Sequence, residues 1–156
     1  MAPAIGQTAP DFTLYDSEKK EVTLSALKGQ PVLLLFFPLA FTNVCTKELC
    51  SVRDNISLYN DIKVKVFGIS VDALQTLAKF KEDQQLNFSL LSDFNKEASR
   101  AFDSIYEMFG FNMKGVSKRS AFLIDKEGIV RYAEVLENAS EVPNFQAIQA
   151  AMTYLN

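Results

Sequence analysis

Seven consecutive apolar residues from Pro31 to Phe37 (PVLLLFF) leave few folds open to this chain. Turn residues bound the segment, because Gly29 and Gln30 precede it and Pro38 ends it. A short apolar run between turn residues is typical of a strand that is buried on both faces, as in a parallel sheet that is covered by helices on both sides. The sequence therefore predicts a central strand at this position.

The segments that follow alternate between helix and strand. Apolar residues recur at i, i+4, i+7, i+11 and i+14 from Cys45 to Tyr59, which predicts one helix from about Val44 to Asn60. The other predicted elements are a hairpin (12–14 with 21–24), strands at 63–70 and 88–91, helices at 73–85 and 95–102, a hairpin (119–125 with 129–136), and a last helix with Pro143 in its first turn. Such alternation requires a parallel core, and the closing hairpin adds antiparallel strands. We expect an α/β fold, a thioredoxin-like sandwich with a mixed central sheet flanked by helices, in one domain spanning residues 1–156.

The chain contains no histidine, and this absence excludes several classes of site. Ser-His-Asp and Cys-His catalysis, zinc sites with histidine ligands and imidazole general bases all need the missing side chain. Two cysteines are too few for a four-cysteine metal site, and no glycine-rich phosphate-binding fingerprint is present. We therefore expect neither a metal nor a cofactor.

Charge and hydropathy predict the compartment. A net charge of −3 gives no basic surface for nucleic acid. The longest apolar run, residues 31–41, is far shorter than the roughly 20 residues of a membrane helix. Residues 1–6 lack the basic and then apolar pattern of a signal peptide. The sequence predicts a cytoplasmic protein with reduced thiols and without a membrane or nucleic-acid partner.

Cys45 is the strongest candidate nucleophile. It follows the buried strand after a short loop, and Thr42 or Asn43 is a suitable N-cap for the helix that it opens. The free N–H groups and the dipole of a first helical turn favour a thiolate and an oxyanionic ligand. Cys45 also begins the apolar stripe, and free cysteines are often buried as small hydrophobic residues. Its position in the helix leaves both interpretations open.

Cys50 lies five residues further along the same predicted helix, about 140° around the axis from Cys45. Its neighbours at i±3 and i±4 are polar, so it is either a half-buried flank residue or a second redox thiol. In an ideal helix the Cα atoms of residues i and i+5 are roughly 8–9 Å apart, whereas a disulfide tolerates at most about 7 Å. A disulfide between the two thiols therefore requires the start of the helix to unwind.

Two segments resemble the signatures of one family. The segment from Pro38 to Cys45 (PLAFTNVC) fits the pattern P-x-x-x-[TS]-x-x-C and resembles the active-site loop of a peroxiredoxin. Residues 117–132 resemble the second signature of that family, in which an arginine, here Arg119, begins the strand that faces the cysteine. The resemblance runs from Gly6 to the last predicted helix, and the two signatures together are more specific than either alone.

The resemblance implies a role for each motif residue. The implied site consists of Cys45 as peroxidatic cysteine, Thr42 as the hydroxyl that hydrogen-bonds the sulfur and the peroxide, Pro38 as the shield against bulk water, Arg119 as the stabiliser of thiolate and transition state, Cys50 as resolving cysteine, and Val44 and Glu48 as supporting residues. An arginine suits this role because its guanidinium stays charged without imidazole chemistry.

The implied activity is a thiol-dependent peroxidase that reduces hydrogen peroxide or alkyl hydroperoxides through a sulfenic acid. Cys50 matches the resolving position of the bacterioferritin-comigratory, PrxQ-like branch. The sequence PLAFT at residues 38–42 equally resembles the AhpE-like branch, whose members often lack that cysteine. An intramolecular disulfide and a one-Cys mechanism resolved by an external thiol both stay open. The implied reductant is a thioredoxin-like or low-molecular-weight thiol.

Other functions are also consistent with the predicted fold. A thiol–disulfide oxidoreductase would have Cys-x-x-Cys, but Glu48 occupies the second cysteine position. A cysteine phosphatase would have Cys-x5-Arg, which neither cysteine matches. A catalytically idle binding or chaperone module of the same fold remains the alternative from another class.

The sequence says less about the oligomeric state than about the site. Residues 142–156 contain no cysteine, which argues against a disulfide between two subunits. Phe109, Phe111 and Met113 precede the Arg119 strand, and we expect at least some of them to pack in the core. The others would form an apolar collar or the contact of a homodimer.

Overall fold

The computed structural model describes residues 1–155 and contains a seven-stranded mixed sheet and a separate two-stranded one. The strands are β1 (Thr13–Asp16), β2 (Glu21–Thr23), β3 (Val32–Phe36), β4 (Lys65–Ser70), β5 (Ser89–Ser92), β6 (Ile105–Tyr106), β7 (Val116–Ser117), β8 (Ser120–Ile124) and β9 (Val130–Val135). The helices are α1 (Asn43–Asp54), α2 (Ile56–Asp61), α3 (Leu74–Gln84), α4 (Glu97–Ala101) and α5 (Phe145–Met152), with short 3-10 helices at Leu24–Leu27 and Gly110–Asn112.

The large sheet has the strand order β2-β1-β5-β4-β3-β8-β9. Its centre is parallel, because β4 pairs in parallel with both β3 and β5. The flanking pairs β1–β2, β1–β5, β3–β8 and β8–β9 are antiparallel. The predicted mixed sheet with helices on its faces is confirmed, and β6 and β7 form the small sheet beside it.

Strand β3 lies at the centre of the molecule, as its sequence predicts. All five of its residues are buried, and their side chains alternate between the two faces of the sheet. Leu33 and Leu35 join an apolar cluster that also contains Cys45, whereas Leu34 and Phe36 join the cluster on the opposite face. Burial on both faces fixes the strand, so the loop that leaves its carboxyl end delivers α1 to a defined place.

The single helix predicted from Val44 to Asn60 is wrong, because the chain forms α1 and α2 with a break at Asn55. The Asn55 side-chain amide donates to the carbonyl oxygen of Ser51 at 2.8 Å, and its backbone N–H bonds to the carbonyl of Val52. Asparagine side chains compete in this way with the helical hydrogen-bond ladder. Tyr59 beyond the break is still buried, so the apolar stripe continues across it.

The last helix begins at Phe145 and not at Pro143. Asn144 is the N-cap, and its side-chain oxygen accepts a hydrogen bond from the N–H of Ala147 at 3.0 Å. Because asparagine is a strong N-cap, it sets the helix start and leaves Pro143 outside. Ile148 and Met152 share one face of this helix, and both are buried.

Of the three apolar residues expected to lie partly in the core, Phe111 and Met113 are outside it, with 99% and 37% exposure. The N–H of Phe109 donates to the carbonyl of Met113 at 2.7 Å, so the segment closes into a short surface loop. Phe109 itself is half-buried and stacks on Tyr106, with ring centres 5.6 Å apart. Loop closure leaves the ring of Phe111 outside the core.

None of the helices in residues 1–155 is long and apolar enough to cross a membrane.

Candidate active site

Cys45 is the third residue of α1, and its side chain is buried with 1% exposure. Thr42 is the N-cap, as predicted, and the N–H of Thr46 donates to its carbonyl oxygen at 2.9 Å. The N–H groups of the first turn have no partner within a helix, and they point toward the N-terminal end. The sulfur therefore lies where the partial positive charge of the helix is concentrated.

Thr42 does not use its side chain as a cap. Its hydroxyl donates to the carbonyl oxygen of Leu39 at 2.8 Å. Among residues 1–155 no hydrogen bond joins this hydroxyl to Cys45, so the predicted contact with the sulfur is not present. The first-turn N–H groups consequently remain free for another acceptor, and the hydroxyl oxygen can itself accept.

Arg119 lies immediately before β8 and joins the site from a distance of 74 residues in the chain. Its Nη2 donates to Cys45 Sγ at 3.2 Å, its Nη1 donates to Glu48 Oε1 at 2.7 Å, and its Nε donates to the carbonyl of Ala139 at 2.9 Å. Burial opposes its charge, but Glu48 and Cys45 outweigh that effect and raise the pKa of Arg119 above its ordinary value. The sulfur is therefore in direct contact with a buried guanidinium.

Glu48 lies one helical turn after Cys45, and its side chain is fully buried. Its Oε1 binds Arg119, while its Oε2 has no hydrogen-bond partner among residues 1–155. Burial raises the pKa of Glu48 to about 7 against the lowering effect of Arg119, and Glu134 raises it further. Glu48 was predicted only as a supporting residue, although its i, i+3 spacing from Cys45 on a helix is a signal that the two share a face.

The loop from Pro38 to Phe41 is held by Asp72, which sequence reasoning missed. The N–H of Ala40 donates to Asp72 Oδ2 at 2.8 Å, and the Ser70 hydroxyl donates to the same oxygen at 2.6 Å. Phe41 has a positive φ of 64° and packs its ring against Phe80, with ring centres 5.1 Å apart. These contacts link the loop to the end of β4 and to α3.

The other predicted site residues lie close to Cys45 in the chain. Pro38 is buried at the end of β3, and Val44 is half-buried beside Cys45 on α1. Only Glu48 and Arg119 form the hydrogen-bonded group with the sulfur. Within the described part of the chain, no cluster of acidic, cysteine or histidine side chains is arranged to hold a metal ion.

Cys50 is a half-buried free thiol on the same unbroken helix as Cys45. Its Sγ lies 3.6 Å from Gln84 Oε1, at the end of α3. Arg53 Nη1 donates to the carbonyl of Gln84 at 2.6 Å, so the C-terminal half of α1 is tied to α3. The intact helix keeps the two thiols too far apart for a disulfide.

Taken together, the site consists of a buried sulfur that contacts a guanidinium and the N-terminus of a helix. Such surroundings favour a thiolate. The same donors can stabilise negative charge that develops on an oxygen beside the sulfur. The arrangement suits nucleophilic attack by Cys45 on a small substrate with an oxygen leaving group.

Comparisons with known proteins agree with this chemistry. Residues 5–133 match the model of the AhpC/TSA family. Alkyl hydroperoxide reductase E of Mycobacterium bovis is 38% identical over 132 residues, covering 84% of this chain and 84% of that protein. The crystal structure of peroxidoxin BcpB from Mycobacterium tuberculosis has a TM-score of 0.86 at 30% identity and covers 99% of each chain. A structure of peroxiredoxin Q from Xanthomonas campestris has a TM-score of 0.80 at 29% identity, covering 91% of this chain and 89% of that chain.

Proposed function

Because the chain belongs to the AhpC/TSA family of peroxiredoxins, we propose that Cys45 is its peroxidatic cysteine and that Arg119 stabilises both the thiolate and the transition state. Family membership makes the protein a thioredoxin-fold, thiol-dependent peroxidase with peroxide substrates and thioredoxin-like reductants. We further propose that residues 1–156 form a single domain of this type. The observation that carries the assignment of Cys45 is the 3.2 Å contact between Arg119 Nη2 and Cys45 Sγ.

In the first step the Cys45 thiolate attacks one oxygen of hydrogen peroxide or an alkyl hydroperoxide. A sulfur–oxygen bond forms, the oxygen–oxygen bond breaks, and the leaving hydroxide or alkoxide takes up a proton to become water or alcohol. The enzyme is left as a sulfenic acid. Arg119 and the first-turn N–H groups of α1 stabilise the charge that develops on the leaving oxygen. Thr42, whose hydroxyl hydrogen is directed to Leu39, acts as an acceptor for the O–H of the peroxide.

In the second step the Cys50 thiol condenses with the sulfenic acid, which forms a Cys45–Cys50 disulfide and releases water. Both thiols are free and lie on one helix, so this step requires the first turns of α1 to unwind. The bond between Arg53 and Gln84 retains the C-terminal half of the helix during that change. A thioredoxin-like or low-molecular-weight thiol then reduces the disulfide by thiol exchange and returns both cysteines to the reduced form.

The test is a stopped-flow measurement of peroxide consumption by wild type, Cys45→Ser and Cys50→Ser. We expect Cys45→Ser to abolish rapid consumption, and Cys50→Ser to permit one turnover before it stops with a thioredoxin-like donor. Equal rates for wild type and Cys45→Ser would overturn the catalytic assignment and favour the idle binding module. If Cys50→Ser turns over like wild type with every thiol donor, resolution proceeds through an external thiol instead.

A further inference from the structure

The Arg119 guanidinium is shared by two groups that can both carry negative charge. Its Nη1 binds the Glu48 carboxylate at 2.7 Å and its Nη2 binds Cys45 Sγ at 3.2 Å. Cys45, Glu48 and Arg119 are each at most 2% exposed, so water screens none of them well. With both acids ionised, this buried group would hold two negative charges against one positive charge.

We propose that Glu48 and Cys45 share a single proton across Arg119, so that Glu48 is a carboxylic acid whenever Cys45 is a thiolate. The inference deepens the proposed function and rests on the role given there to Cys45. Glu48 is then a positioning residue, because it acts on the sulfur through Arg119 and does not touch the peroxide. In a chain without histidine, this carboxylate takes the place of an imidazole as the acceptor of the thiol proton.

The unpartnered oxygen of Glu48 supports this assignment. Oε2 is buried and has no hydrogen-bond partner among residues 1–155, which is costly for a charged carboxylate and much less costly for a neutral acid. Burial raises the pKa of Glu48 to about 7, so its proton is held in the neutral range. A buried thiolate next to the same guanidinium favours the protonated form further, because it competes for Arg119.

The charged groups that act on Glu48 come from three elements. Cys45 lies on its own helix α1, Arg119 precedes β8, and Glu134 on β9 disfavours the carboxylate by repulsion. Glu134 is itself held in place, because it accepts hydrogen bonds from the Tyr132 hydroxyl and from the N–H of Asn144. Two of the three groups thus favour a neutral Glu48 once Cys45 is ionised.

The step is a proton transfer without a change in oxidation state. The S–H bond of Cys45 breaks, and an O–H bond to the same proton forms on Glu48. The group carries the same net charge before and after the transfer, because the thiolate replaces the carboxylate as the partner of Arg119. The reactive thiolate therefore forms without adding charge to the interior, which keeps its cost low.

Infrared spectroscopy of the reduced protein tests the proposal through the C=O stretch of protonated carboxyl groups. The band of Glu48 is identified by its loss in Glu48→Gln and is then titrated with pH. We expect its midpoint to fall by about one pH unit or more in Cys45→Ser, a tenfold change in proton affinity, because Arg119 then serves the carboxylate alone. Cys45→Ala is expected to change the midpoint in the same direction.

Cys50→Ser is the matched control, since it makes the same chemical change on the same helix but away from Arg119. Its midpoint is expected to equal that of wild type. Suppose that wild type shows Cys45-dependent peroxidase activity but that the Glu48 midpoint is the same in Cys45→Ser and wild type. This result overturns the proposal of a shared proton and leaves the proposed function intact. A wild type without Cys45-dependent peroxide consumption overturns the proposed function itself.

Discussion

At the scale of single residues, Arg119 is the best-defined part of the site. Three of its nitrogens donate to three acceptors from different parts of the chain, namely Ala139, Glu48 and Cys45. A planar guanidinium held at three points has one orientation, so its remaining N–H groups point in a fixed direction. A lysine ammonium has the same charge but cannot satisfy Glu48 and Cys45 at once in this geometry.

We predict that Arg119→Lys lowers kcat/KM for peroxide by about 100-fold, the size of effect seen when one donor to a developing oxyanion is removed. Stopped-flow kinetics with hydrogen peroxide measures it. Arg131→Lys is the control, because Arg131 pairs with Asp125 at 2.7 Å and has no contact with Cys45. Equal rates for Arg119→Lys and wild type would contradict the role of the guanidinium fork.

At the scale of secondary structure, the two halves of α1 are held differently. Cys45 and the first turns pack on the core, whereas Arg53 in the last turn is bonded to the end of α3. The Asn87 side-chain amide also donates to the carbonyl of Arg53 at 3.2 Å. The helix therefore has a tethered C-terminal half, and in the proposed cycle its N-terminal half is the part that opens.

Hydrogen exchange of the oxidised protein checks this division of α1. After one equivalent of peroxide, we predict faster exchange in residues 43–49 and unchanged protection in residues 53–61. Disulfide formation in the same sample is verified by mass spectrometry. Oxidised Cys50→Ser, which cannot form the bond, should keep residues 43–49 protected. Full protection in a sample with a complete disulfide would show that the helix need not unwind.

How far the sequence predicts these elements depends on the range of the interactions. The buried strand β3 and the position of Cys45 in a first turn follow from local patterns, and both are confirmed. The break at Asn55 escaped prediction because one side-chain amide overrides an otherwise regular apolar stripe. Sequence spacing alone does not show that Asp72 holds the loop at Ala40, since that contact joins residues 32 positions apart.

The same limit applies to the site. The Pro38–Cys45 motif and Arg119 stand out because they resemble signatures, and the structure brings Arg119 to the sulfur. The orphaned oxygen of Glu48 and the orientation of the Thr42 hydroxyl depend on how the elements pack. Patterns along the chain carry no information about such orientations.

At the scale of the whole molecule, the buried carboxyl of Glu48 links folding to pH. Its pKa is about 7 in the folded chain, against 4.5 for the ordinary carboxyl, so the folded state binds this proton more tightly. The stabilisation is complete below pH 4.5 and is lost as the pH rises to about 7. The free energy of unfolding that is lost over this pH range is on the order of a few kcal/mol.

We therefore predict that raising the pH from 5 to 8 destabilises wild type more than Glu48→Gln, whose side chain does not titrate. Urea denaturation at each pH gives the free energy of unfolding of both proteins. Other carboxyl groups titrate equally in the two chains, so the difference between the two profiles comes from Glu48 and the proton that it shares with Cys45. Parallel pH profiles for wild type and Glu48→Gln would contradict the raised pKa.

The exposed loop of residues 108–113 bears on assembly. Met108, Phe111 and Met113 are 55%, 99% and 37% exposed, which is a large apolar surface for one short segment. We predict that two copies of the chain associate through this loop and that Phe111→Ser weakens the homodimer. Sedimentation equilibrium measures it, with Tyr154→Ser, at a side chain that is 85% exposed, as control. A monomeric wild type, or a dimer unaffected by Phe111→Ser, would contradict this prediction.

The placement of both thiols on α1 has a consequence for exchange with the reductant. In the proposed cycle the helix cannot be wound and cross-linked at once, so the backbone near the cysteines has a different shape in each redox state. A donor protein that binds the unwound segment loses its binding site as soon as the thiols are regenerated and the helix re-forms. Reduction of the disulfide then also releases the oxidised donor, so the donor does not block access of the next peroxide to Cys45.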